Sequence, residues 1–310
     1  MILVTGGAGF IGSHLTKALV ERGYPVRVID NLSRNINHVQ DLHESGKIEF
    51  LKGDIRDKFH VSRAMQNVEY VFHEAAVCMN RCNAFPTEAM QVNLEGSYNI
   101  FGAAINEGVK KVIYASTSSV YGQPTYLPMD ENHPANANTP YGATKLCADQ
   151  FMQYLSKRHG LKYVCFRYFN VYGTYQSTDA YYTSVISIFM KRILHGKAPV
   201  INGSGTQTMD FTHVSDVVRA NMAALEGDVQ NEVFNVGYGR EVSIRELAEA
   251  ILRLMGSEQE IEYVERDVPV TRRRCDASKM ERMLGMRCET DLGDGLRELV
   301  EHVRANPEIY

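Results

Sequence analysis

The stretch Met1–Gly12, MILVTGGAGFIG, decides how the rest of this chain is expected to fold. Residues 2–4 form a short apolar run that is typical of a buried parallel strand. A helical pattern of apolar residues begins at Ile11, and between the two lie three regularly spaced glycines, Gly6, Gly9 and Gly12. Glycines at such a turn let the backbone approach a ligand closely, and the helix N-terminus attracts a pyrophosphate. The pattern predicts a dinucleotide site, although a Gly-rich turn without a ligand has the same local sequence.

The second predicted strand, Pro25–Ile29, ends at an acidic residue. Asp30 lies about 20 residues after the glycines, where a carboxylate accepts hydrogen bonds from ribose hydroxyl groups and repels a 2′-phosphate. We therefore expect NAD rather than NADP as the cofactor. Arg34 lies nearby, and we interpret it as a solvated loop charge.

Composition and charge exclude several classes of protein. The chain has 310 residues and a formal net charge of −4, so nucleic acid is not an expected partner. No apolar run is long enough to span a membrane, and a strand that starts at residue 2 leaves no room for a signal peptide. The six cysteines form no Cys-x-x-Cys pair, which favours free thiols in a reducing cytosol. A metal site formed by Cys78, Cys82 and His73 is disfavoured, because thiols at strand ends are usually just buried.

Strands and helices are predicted to alternate up to about residue 170. After the first two strands, we expect strands at 47–53, 69–73, 111–116 and 162–169, and helices at 54–67, 91–108 and 141–158. This alternation predicts an α/β fold with a doubly wound parallel sheet, the Rossmann arrangement. Beyond Thr174 the pattern loosens into a smaller α/β lobe, with helices at 181–194 and 243–255, a helix begun by Ser215 or Asp216, and strands at 198–201 and 233–236. We predict an NAD-binding domain over residues 1–170, to which residues about 205–236 return, and a mainly substrate-binding lobe over residues 171–310.

A Tyr-x-x-x-Lys pair carries the predicted chemistry. Tyr141 and Lys145 lie four residues apart, so they share one face of the predicted helix. A free tyrosine has a pKa of about 10 and is a poor base at neutral pH, but a nearby ammonium and a positive nicotinamide ring favour its phenolate. Thr117, at the end of the fifth predicted strand, can hydrogen-bond the same substrate oxygen. These side chains therefore predict proton transfer at a sugar or alcohol hydroxyl.

The motifs together resemble the extended short-chain dehydrogenase/reductase family, in its nucleotide-sugar epimerase/dehydratase branch. The resemblance covers nearly the whole chain, and its main segments are TGGAGFIGSH at 5–14, the strand end at Asp30, DIRD at 54–57, HEAA at 73–76, STSSVYG at 116–122, YGATK at 141–145 and RYFNVYG at 167–173. It implies tightly held NAD, oxidation of one sugar carbon and further use of the keto intermediate.

The residues after Thr117 indicate which reaction of the branch to expect. By resemblance, dehydratases carry an Asp-Glu pair here and the decarboxylases that form UDP-xylose carry a Glu, whereas this chain has Ser118 and Ser119. Serine cannot act as a carboxylic acid, so the resemblance favours 4-epimerisation of a nucleotide-diphosphate sugar, such as a UDP-linked glucose, galactose, N-acetyl or uronic acid form. A nucleotide-sugar oxidoreductase or 4-ketosugar reductase, a dehydratase or decarboxylase, and a non-catalytic NAD sensor remain alternatives.

The resemblance also assigns roles to individual residues. It implies Tyr141 as the base, Lys145 as its electrostatic partner and a ribose ligand, and Thr117 as a proton relay. The residues expected to bind the cofactor are Gly6, Gly9, Phe10, Ile11, Gly12, Asp30, Asn31, Asp54, Ile55, Glu74, Ala75, Ala76, Asn93, Ser116, Tyr141, Lys145 and Tyr168. The residues expected to bind the substrate are Thr117, Ser118, Tyr141, Asn170, Arg266 and Arg273.

The sequence departs from the family pattern at an expected phosphate ligand. Family members commonly have an Arg after Gly-x-Gly-x-Gln-x, but this chain has Met209. Arg266 or the triplet 272–274 could supply that charge, the alternative being a solvated basic turn. By resemblance Arg273 lies at the wall of the sugar pocket, where a cation suits a carboxylate sugar. Glu74 replaces a residue that is usually apolar.

We also predict a homodimer. The predicted helices 91–107 and 141–158 carry apolar residues on more than one face, including Phe151, Met152 and Leu155. By resemblance, two such helices from each subunit pair into a four-helix bundle, which buries apolar stripes that a monomer would expose.

Overall fold

A parallel sheet of seven strands forms the centre of the protein, which is described by a computed structural model. The structure describes residues 1–35, 37–177, 184–265 and 271–307. Short apolar runs, many of them β-branched, form the buried strands. The strands in the described residues are β1 (Ile2–Thr5), β2 (Val26–Asp30), β3 (Ile48–Lys52), β4 (Tyr70–His73), β5 (Lys111–Thr117), β6 (Tyr163–Tyr168), β7 (Val171–Tyr172), β8 (Val200–Asn202), β9 (Thr208–Met209), β10 (Thr212–His213), β11 (Glu232–Val236), β12 (Val242–Ser243) and β13 (Glu262–Val264).

Several helices begin at a side chain that accepts a hydrogen bond from the first turn, which satisfies an otherwise unpaired N–H group. Ser243 and Glu246 form a capping box, in which each side chain accepts a hydrogen bond from the other residue's main-chain N–H group. The helices in the same described residues are α1 (Phe10–Glu21), α2 (Gln40–Glu44), α3 (Lys58–Met65), α4 (Met79–Ala84), α5 (Pro86–Ala89), α6 (Ser97–Asn106), α7 (Pro140–His159), α8 (Val185–Leu194), α9 (Val214–Glu226), α10 (Ile244–Met255), α11 (Ser278–Leu284) and α12 (Leu292–Ala305).

The strand order of the central sheet creates a cleft at its middle. The order is β11-β6-β5-β4-β1-β2-β3, and every neighbouring pair is parallel. The chain therefore builds the sheet outward in opposite directions from the β1–β4 pair. Ligands of such sheets bind at the carboxyl ends of the strands at this point. The predicted doubly wound parallel sheet is confirmed.

Apolar layers cover both faces of the sheet. Because neighbouring strand residues point to opposite faces, Leu3 joins a layer with Phe101 and Met152, and Val4 joins a layer with Leu15. A third cluster joins α8, α10 and α12 in the later part of the chain. The late strand β11 pairs with β6 in the main sheet. The division into domains near residue 170 stays a prediction.

The structure differs from the sequence prediction at several boundaries. The region between Asp30 and the predicted strand at 47–53, for which no helix is predicted, contains short helical segments at Asn37–Val39 and Gln40–Glu44. The helix predicted over 91–108 is preceded by α4 and α5, and its first part, Met90–Gly96, has the wider turn of a π-helix. Apolar spacing does not reveal such widening, because both helix types keep one face apolar.

The starts of α9 and α8 can also be compared with the predicted helices. The helix predicted to begin at Ser215 or Asp216 begins at Val214, because the His213 side chain accepts the capping hydrogen bond from the N–H group of Ser215. Residues 181–183 of the helix predicted over 181–194 lie outside the described residues, and the remainder forms α8.

Among the residues that the structure describes, no helix is long and apolar enough to cross a membrane. Those residues also contain no group of three or more His, Cys, Asp or Glu side chains that could hold a metal ion. All six cysteines are free thiols, and the Cys82 thiol donates a hydrogen bond to the carbonyl oxygen of Val77 at 3.3 Å.

Candidate active site

The Gly-rich turn after β1 packs tightly beneath the start of α1. Gly6 has a φ of +69°, and a Cβ atom on it would lie 2.7 Å from the Cα atom of Ala75. A Cβ atom on Gly12 would lie 2.2 Å from the carbonyl oxygen of Gly6. Glycine alone fits at both positions. The first turn of α1, beginning at Phe10, carries no acidic side chain, so its free N–H groups fit an anionic pyrophosphate.

The carboxylate of Asp30 is fixed at the end of β2. It accepts hydrogen bonds from the main-chain N–H groups of Ala8 at 3.1 Å and Leu32 at 2.9 Å. Burial raises the pKa of Asp30, and these hydrogen bonds oppose the rise. Arg34, which we expected to be a solvated charge, instead lines the cleft beside Asp30, because residues 33–35 form part of the cleft wall.

A cleft of about 290 Å³ extends from the Gly-rich turn past the ends of β2, β3 and β4. Most of the residues predicted to bind the cofactor line it, namely Gly6, Gly9, Phe10, Ile11, Gly12, Asp30, Asn31, Asp54, Ile55, Glu74, Ala75 and Ala76. The cleft is also lined by Val77, Cys78, Val92 and Gln176. These residues belong to no local motif and were not predicted from the sequence. The combination of a glycine cradle, a fixed carboxylate and an elongated cleft fits a dinucleotide.

Asp54 and Asn31 form a polar patch on the wall of the cleft. Asp54 accepts hydrogen bonds from the amide of Asn31 at 3.1 Å and from the guanidinium of Arg56 at 2.9 and 2.7 Å. Burial alone would raise the pKa of Asp54, but the hydrogen bonds from Arg56 lower it to about 2. Asp54 therefore stays ionised at neutral pH, and Asp57 rather than Asp54 caps α3.

Glu74 is a partly buried carboxyl group directly after β4. Its Oε1 atom accepts a hydrogen bond from the Tyr168 hydroxyl at 3.1 Å, and the Tyr168 oxygen accepts one from the amide of Asn221 at 2.8 Å. Burial raises the pKa of Glu74 to about 7, although Tyr168 and Lys145 act in the opposite direction. Tyr168, predicted to bind the cofactor, lies behind Glu74 and is not among the residues that line the cleft.

Asn93, for which a cofactor contact stays a prediction, uses its side-chain amide within the protein. Its side-chain oxygen accepts a hydrogen bond from the N–H group of Val77 at 2.8 Å, and its Nδ2 donates to the carbonyl of Val77 at 2.9 Å. The residue is fully buried, so both ends of the amide hold the segment after β4 against the helix. A polar residue early in a helix gives no sequence signal that tells these two roles apart.

The predicted Tyr–Lys pair lies at the start of α7, beside the end of β5. Thr139 caps this helix through its side chain, and Pro140 occupies the first position, where no N–H group is needed. Tyr141 and Lys145 follow one turn apart. Thr117 ends β5, and its side chain lies close enough to the Tyr141 hydroxyl to lower the pKa of that group. The structure therefore brings the three predicted catalytic residues together.

Lys145 is a buried cation without a hydrogen-bond partner. Only 1% of the residue is exposed, and its Nζ atom has no partner among the described residues. Nζ lies 4.5 Å from the centre of the Tyr114 ring. Burial lowers the pKa of Lys145 to about 8, although the charges of Asp149 and Glu74 oppose this. Burying an unpaired ammonium is costly, so the orphaned donor fits a site that ligand hydroxyl groups complete.

Burial also raises the pKa of Tyr141, and the nearby side chain of Thr117 offsets only part of the rise. The nearby thiols of Cys78 and Cys82 raise this pKa further. In the protein alone, burial is therefore the largest influence on the pKa of Tyr141, and it opposes the phenolate that the sequence interpretation requires.

The triplet of arginines does not form a uniform basic turn. Arg272 is exposed and pairs with Glu241 at 2.6 Å, and Arg274 is exposed as well. Arg273 is only partly exposed, and its guanidinium donates a hydrogen bond to the carbonyl oxygen of Ser118 at 3.4 Å. Of the three, Arg273 is therefore the one that faces the end of β5.

Asn170 and Asp210 hold the loops near this end of the sheet. Asn170, with a φ of +28°, donates its side-chain amide to the carbonyl of Asp210 at 2.9 Å. Burial raises the pKa of Asp210 to about 7. Its carboxylate accepts hydrogen bonds from three main-chain N–H groups, those of Tyr238, Gly239 and Cys275. No local motif marks Asp210, and Arg266, a predicted substrate ligand, lies outside the described residues.

A buried network of hydrogen bonds lies beneath the cleft and was not predicted from the sequence. The His73 ring hydrogen-bonds with the Thr5 hydroxyl at 2.7 Å and with the Ser97 hydroxyl at 2.9 Å. Thr5 accepts a hydrogen bond from the N–H group of Ala75 at 3.2 Å, and Ser97 donates to the carbonyl of Asn93 at 2.7 Å. Burial keeps the pKa of His73 well below its ordinary value, so the ring is neutral. This network of hydrogen bonds connects β1, β4 and α6 beneath the cleft.

The fold and the site together define a class of protein. A parallel sheet with a Gly-rich first turn, a carboxylate at the end of β2 and a buried Tyr–Lys pair is typical of α/β enzymes that use a nicotinamide dinucleotide. Residues 2–237 match the profile of the NAD dependent epimerase/dehydratase family. The chain belongs to this family. It is an NAD-dependent enzyme, and both the resemblance and the cofactor predicted from the sequence are confirmed.

Relatives match the chain over nearly its whole length. A protein of Methanocaldococcus jannaschii described as a putative UDP-glucose 4-epimerase is 38% identical over 311 residues, which is 99% of both chains. A UDP-N-acetyl-alpha-D-glucosaminuronate decarboxylase of Bacillus cytotoxicus is 34% identical, over 97% of both chains. The crystal structure of a UDP-glucose 4-epimerase of Thermotoga maritima with UDP-glucose has a TM-score of 0.93 and 34% identity, over 99% of both chains.

Proposed function

We propose that the protein is a 4-epimerase of a nucleotide-diphosphate sugar, with a UDP-sugar as its substrate. The proposal depends on the cluster of Thr117, Tyr141 and Lys145, which is followed by Ser118 and Ser119 where related enzymes carry acidic side chains. Serine hydroxyls cannot act as the carboxylic acids expected of dehydratases and decarboxylases. Two of the relatives cited above are named as UDP-glucose 4-epimerases, which supports a UDP-sugar.

In this proposal Tyr141 removes the proton of the C4 hydroxyl group and later returns it. Thr117, whose side chain lies near the Tyr141 hydroxyl, orients the same C4 hydroxyl group. Lys145 binds ribose hydroxyl groups through its unpartnered Nζ atom and keeps a positive charge near Tyr141. When bound, NAD accepts a hydride from C4 and returns it to the opposite face of the rotated 4-keto sugar. A positioned acid or base of this kind contributes about 10²–10⁴-fold to the rate.

We assign the cofactor to the cleft between the Gly-rich turn and the end of β4. Asp30 accepts hydrogen bonds from the ribose hydroxyl groups, the Gly-rich turn holds the pyrophosphate, and the adenine ring lies against Ile55. Ser118, Asn170 and Arg273 are the proposed substrate contacts beyond the three reacting side chains.

The test is incubation of the purified protein with a panel of UDP-, dTDP-, GDP- and CDP-sugars in deuterated water. We expect the C4 epimer of one or more UDP-sugars, without net release of NADH and without deuterium at C4, because the same hydride leaves and returns. Bound NAD should copurify with the protein. Accumulation of NADH would instead indicate a net oxidoreductase, and deuterium at C4 would contradict the return of the same hydride.

We also propose a homodimer formed through α6 and α7. Tyr98, Phe151 and Tyr154 lie on these helices and are 46%, 43% and 56% exposed, and the rings of Tyr98 and Phe151 are 5.5 Å apart. Met152 and Leu155, which were named with Phe151 in the prediction of a dimer, are buried in the protomer, because their face of α7 packs against the core. An exposed aromatic cluster of this kind favours a subunit contact. A cytosolic location, predicted from the unpaired thiols, belongs to the same proposal.

A further inference from the structure

The segment 174–177 forms part of the wall of the cofactor cleft. Gln176 and Ser177 line this cleft directly. The side-chain amide of Gln176 donates a hydrogen bond to the carbonyl oxygen of Val171 at 3.1 Å, and its side-chain oxygen accepts one from the Ser184 hydroxyl at 2.9 Å. These contacts connect the segment to residues close to it in the chain, whereas its contacts with distant elements come from one aromatic ring.

The ring of Tyr175 contacts side chains that lie far from it in the chain. It stacks on the His38 ring, with 4.4 Å between the ring centres, and its centre lies 5.0 Å from that of the His14 ring of α1. Lys17, also on α1, places its Nζ atom 4.5 Å from the centre of the tyrosine ring and donates a hydrogen bond to the hydroxyl at 3.2 Å. The His302 ring of α12 makes an edge contact, with the ring centres 5.7 Å apart. We call these five side chains the Tyr175 cluster.

The backbone of Tyr175 has a conformation that needs support from its surroundings. Its φ is +68°, in the left-handed region that residues other than glycine adopt uncommonly. The carbonyl oxygen of the preceding Thr174 accepts a hydrogen bond from Nε2 of His14 at 2.9 Å. A conformation of this kind persists only where neighbouring contacts hold it, so we expect the segment to shift when the ring is removed.

The Tyr175 cluster also joins two walls of the cleft. Residues 33–35 line the cleft after the end of β2, and His38 follows three residues later. Because the Tyr175 ring stacks on His38, it connects this wall to the wall formed by residues 174–177. A ligand enclosed by both walls leaves only when they separate, so ring contacts outside the cleft can control its release.

We propose that Tyr175 is a positioning residue that holds the cleft closed around the bound cofactor and slows its release. Tyr175 itself is not among the residues that line the cleft, so it acts through the two walls that it connects. The inference rests on the assignment of NAD to this cleft and on the proposed epimerase function, and it adds a role in retaining the cofactor. Slow release suits that function, because the same hydride leaves and returns while the cofactor stays bound.

The three histidines of the Tyr175 cluster make this closure sensitive to acid. Burial lowers the pKa of His38 to about 4, and it also lowers the pKa values of His14 and His302. Besides each other, the groups whose charges act on these rings are Lys17, Arg34, His213 and Glu298, of which Glu298 alone raises the pKa values. When the walls separate, His38 returns toward its ordinary pKa of 6.5. Below pH 6.5 the open form therefore binds a proton first, and opening becomes more favourable by up to about tenfold per pH unit until about pH 4.

The test measures how fast the protein releases NAD. The protein is loaded with radiolabelled NAD, an excess of unlabelled NAD is added at pH 7.5, and the label that stays on the protein is followed by filtration. Tyr175→Leu should raise the release rate by about 10- to 100-fold, because the ring contacts and the cation–π contact are lost. Tyr175→Phe keeps the ring and loses only the hydrogen bond with Lys17, so its rate should rise by less than about tenfold. If Tyr175→Leu purifies without NAD, its affinity for added NAD is measured by calorimetry and should be weaker by the same 10- to 100-fold factor as the rate predicts.

A control variant and the pH dependence separate this role from a general loss of structure. Tyr263→Leu makes the same change at a half-exposed tyrosine of β13 and should leave the release rate unchanged. The parent should release NAD about tenfold faster at pH 5.5 than at pH 7.5, because the open form gains the proton of His38. Tyr175→Leu should release it at nearly the same rate at both pH values, since its walls are already separated.

The outcomes distinguish this inference from the proposed function. If Tyr175→Leu releases NAD at the rate of the parent, or if acid accelerates release equally in both proteins, the inference is wrong and the epimerase proposal stands. If Tyr175→Leu releases NAD faster as expected but the parent epimerises no sugar of the panel, the role of Tyr175 stands and the 4-epimerase proposal is wrong.

Discussion

Replacing Lys145 with methionine is predicted to stabilise the cofactor-free protein while it abolishes activity. Lys145 is 1% exposed, and its Nζ atom has no hydrogen-bond partner among the described residues. Its pKa falls from 10.5 to about 8, with burial as the largest cause. Methionine has a similar length and no charge, and it fills irregular apolar space well. The variant removes the cost of burying the ammonium and, with it, a proposed ribose ligand.

The pKa gives the size and the pH range of this effect. One pH unit corresponds to about 1.4 kcal/mol, so the ammonium costs the folded protein about 3 kcal/mol at pH 7. Methionine also loses the contact of the ammonium with the Tyr114 ring, which leaves a net gain of about 2 kcal/mol. Above pH 10.5 the lysine is neutral in both states and the gain disappears. As the pH falls from 10.5, the unfolded state binds the proton first, so the gain grows until about pH 8 and is constant below.

Urea unfolding of the cofactor-free parent and the Lys145→Met variant at pH 7 and at pH 10 measures this difference. Lys111→Met is the matched control, because Lys111 is also buried but donates hydrogen bonds to the carbonyls of Ala224 at 2.9 Å and Gly227 at 2.8 Å. That change leaves two acceptors unpaired and should destabilise the protein by about 1–3 kcal/mol. A Lys145→Met variant that is no more stable than the parent at pH 7, or equally stabilised at both pH values, would refute this reasoning.

The remaining predictions concern turnover, the cofactor and assembly. Tyr141→Phe should lower kcat by about 10²–10⁴-fold with NAD retained, and Thr117→Val should lower it less; unchanged turnover in Tyr141→Phe contradicts the role of the phenol. Asp30→Ala should weaken NAD binding and improve NADP binding relative to it, because the carboxylate repels a 2′-phosphate; tighter NADP than NAD binding by the parent is the contrary result. Light scattering at micromolar concentration should give a dimer for the parent and a monomer for Phe151→Glu, and a monomeric parent would reject the proposed contact.

The parts of the site that depend on neighbouring residues could be predicted from the sequence. The glycines that end β1, the carboxylate that ends β2 and the Tyr-x-x-x-Lys pair of α7 each have a fixed spacing, because each lies within one turn or one helix face. The parallel sheet could also be predicted, because each buried strand is a short apolar run of consecutive residues. These features alone placed the cleft and the reacting side chains at the carboxyl ends of the strands.

Features that depend on partners far apart in the chain could not be predicted. The amide of Asn93 is used by the main chain of Val77, and the carboxylate of Asp210 is used by loops that follow it by many residues. The sequence also gave Met152 the same apolar character as Phe151, although the first faces the sheet and the second faces outward. In each case the side chain's own type was known, but its partner was set by tertiary packing.

Lys145 differs from the other buried cations discussed here, because those cations have hydrogen-bond or ion-pair partners. Arg27 is paired with Glu49 at 2.8 Å, and Arg167 with Asp149 at 3.2 Å. Lys111 instead donates hydrogen bonds to two carbonyl oxygens. Folding alone favours such compensation, since an unpaired buried charge is costly. Lys145 is buried, touches the Tyr114 ring of the strand that ends at Thr117, and has no hydrogen-bond partner among the described residues. We therefore expect a bound ligand to supply this partner, so that the position which costs the protein stability also favours cofactor binding.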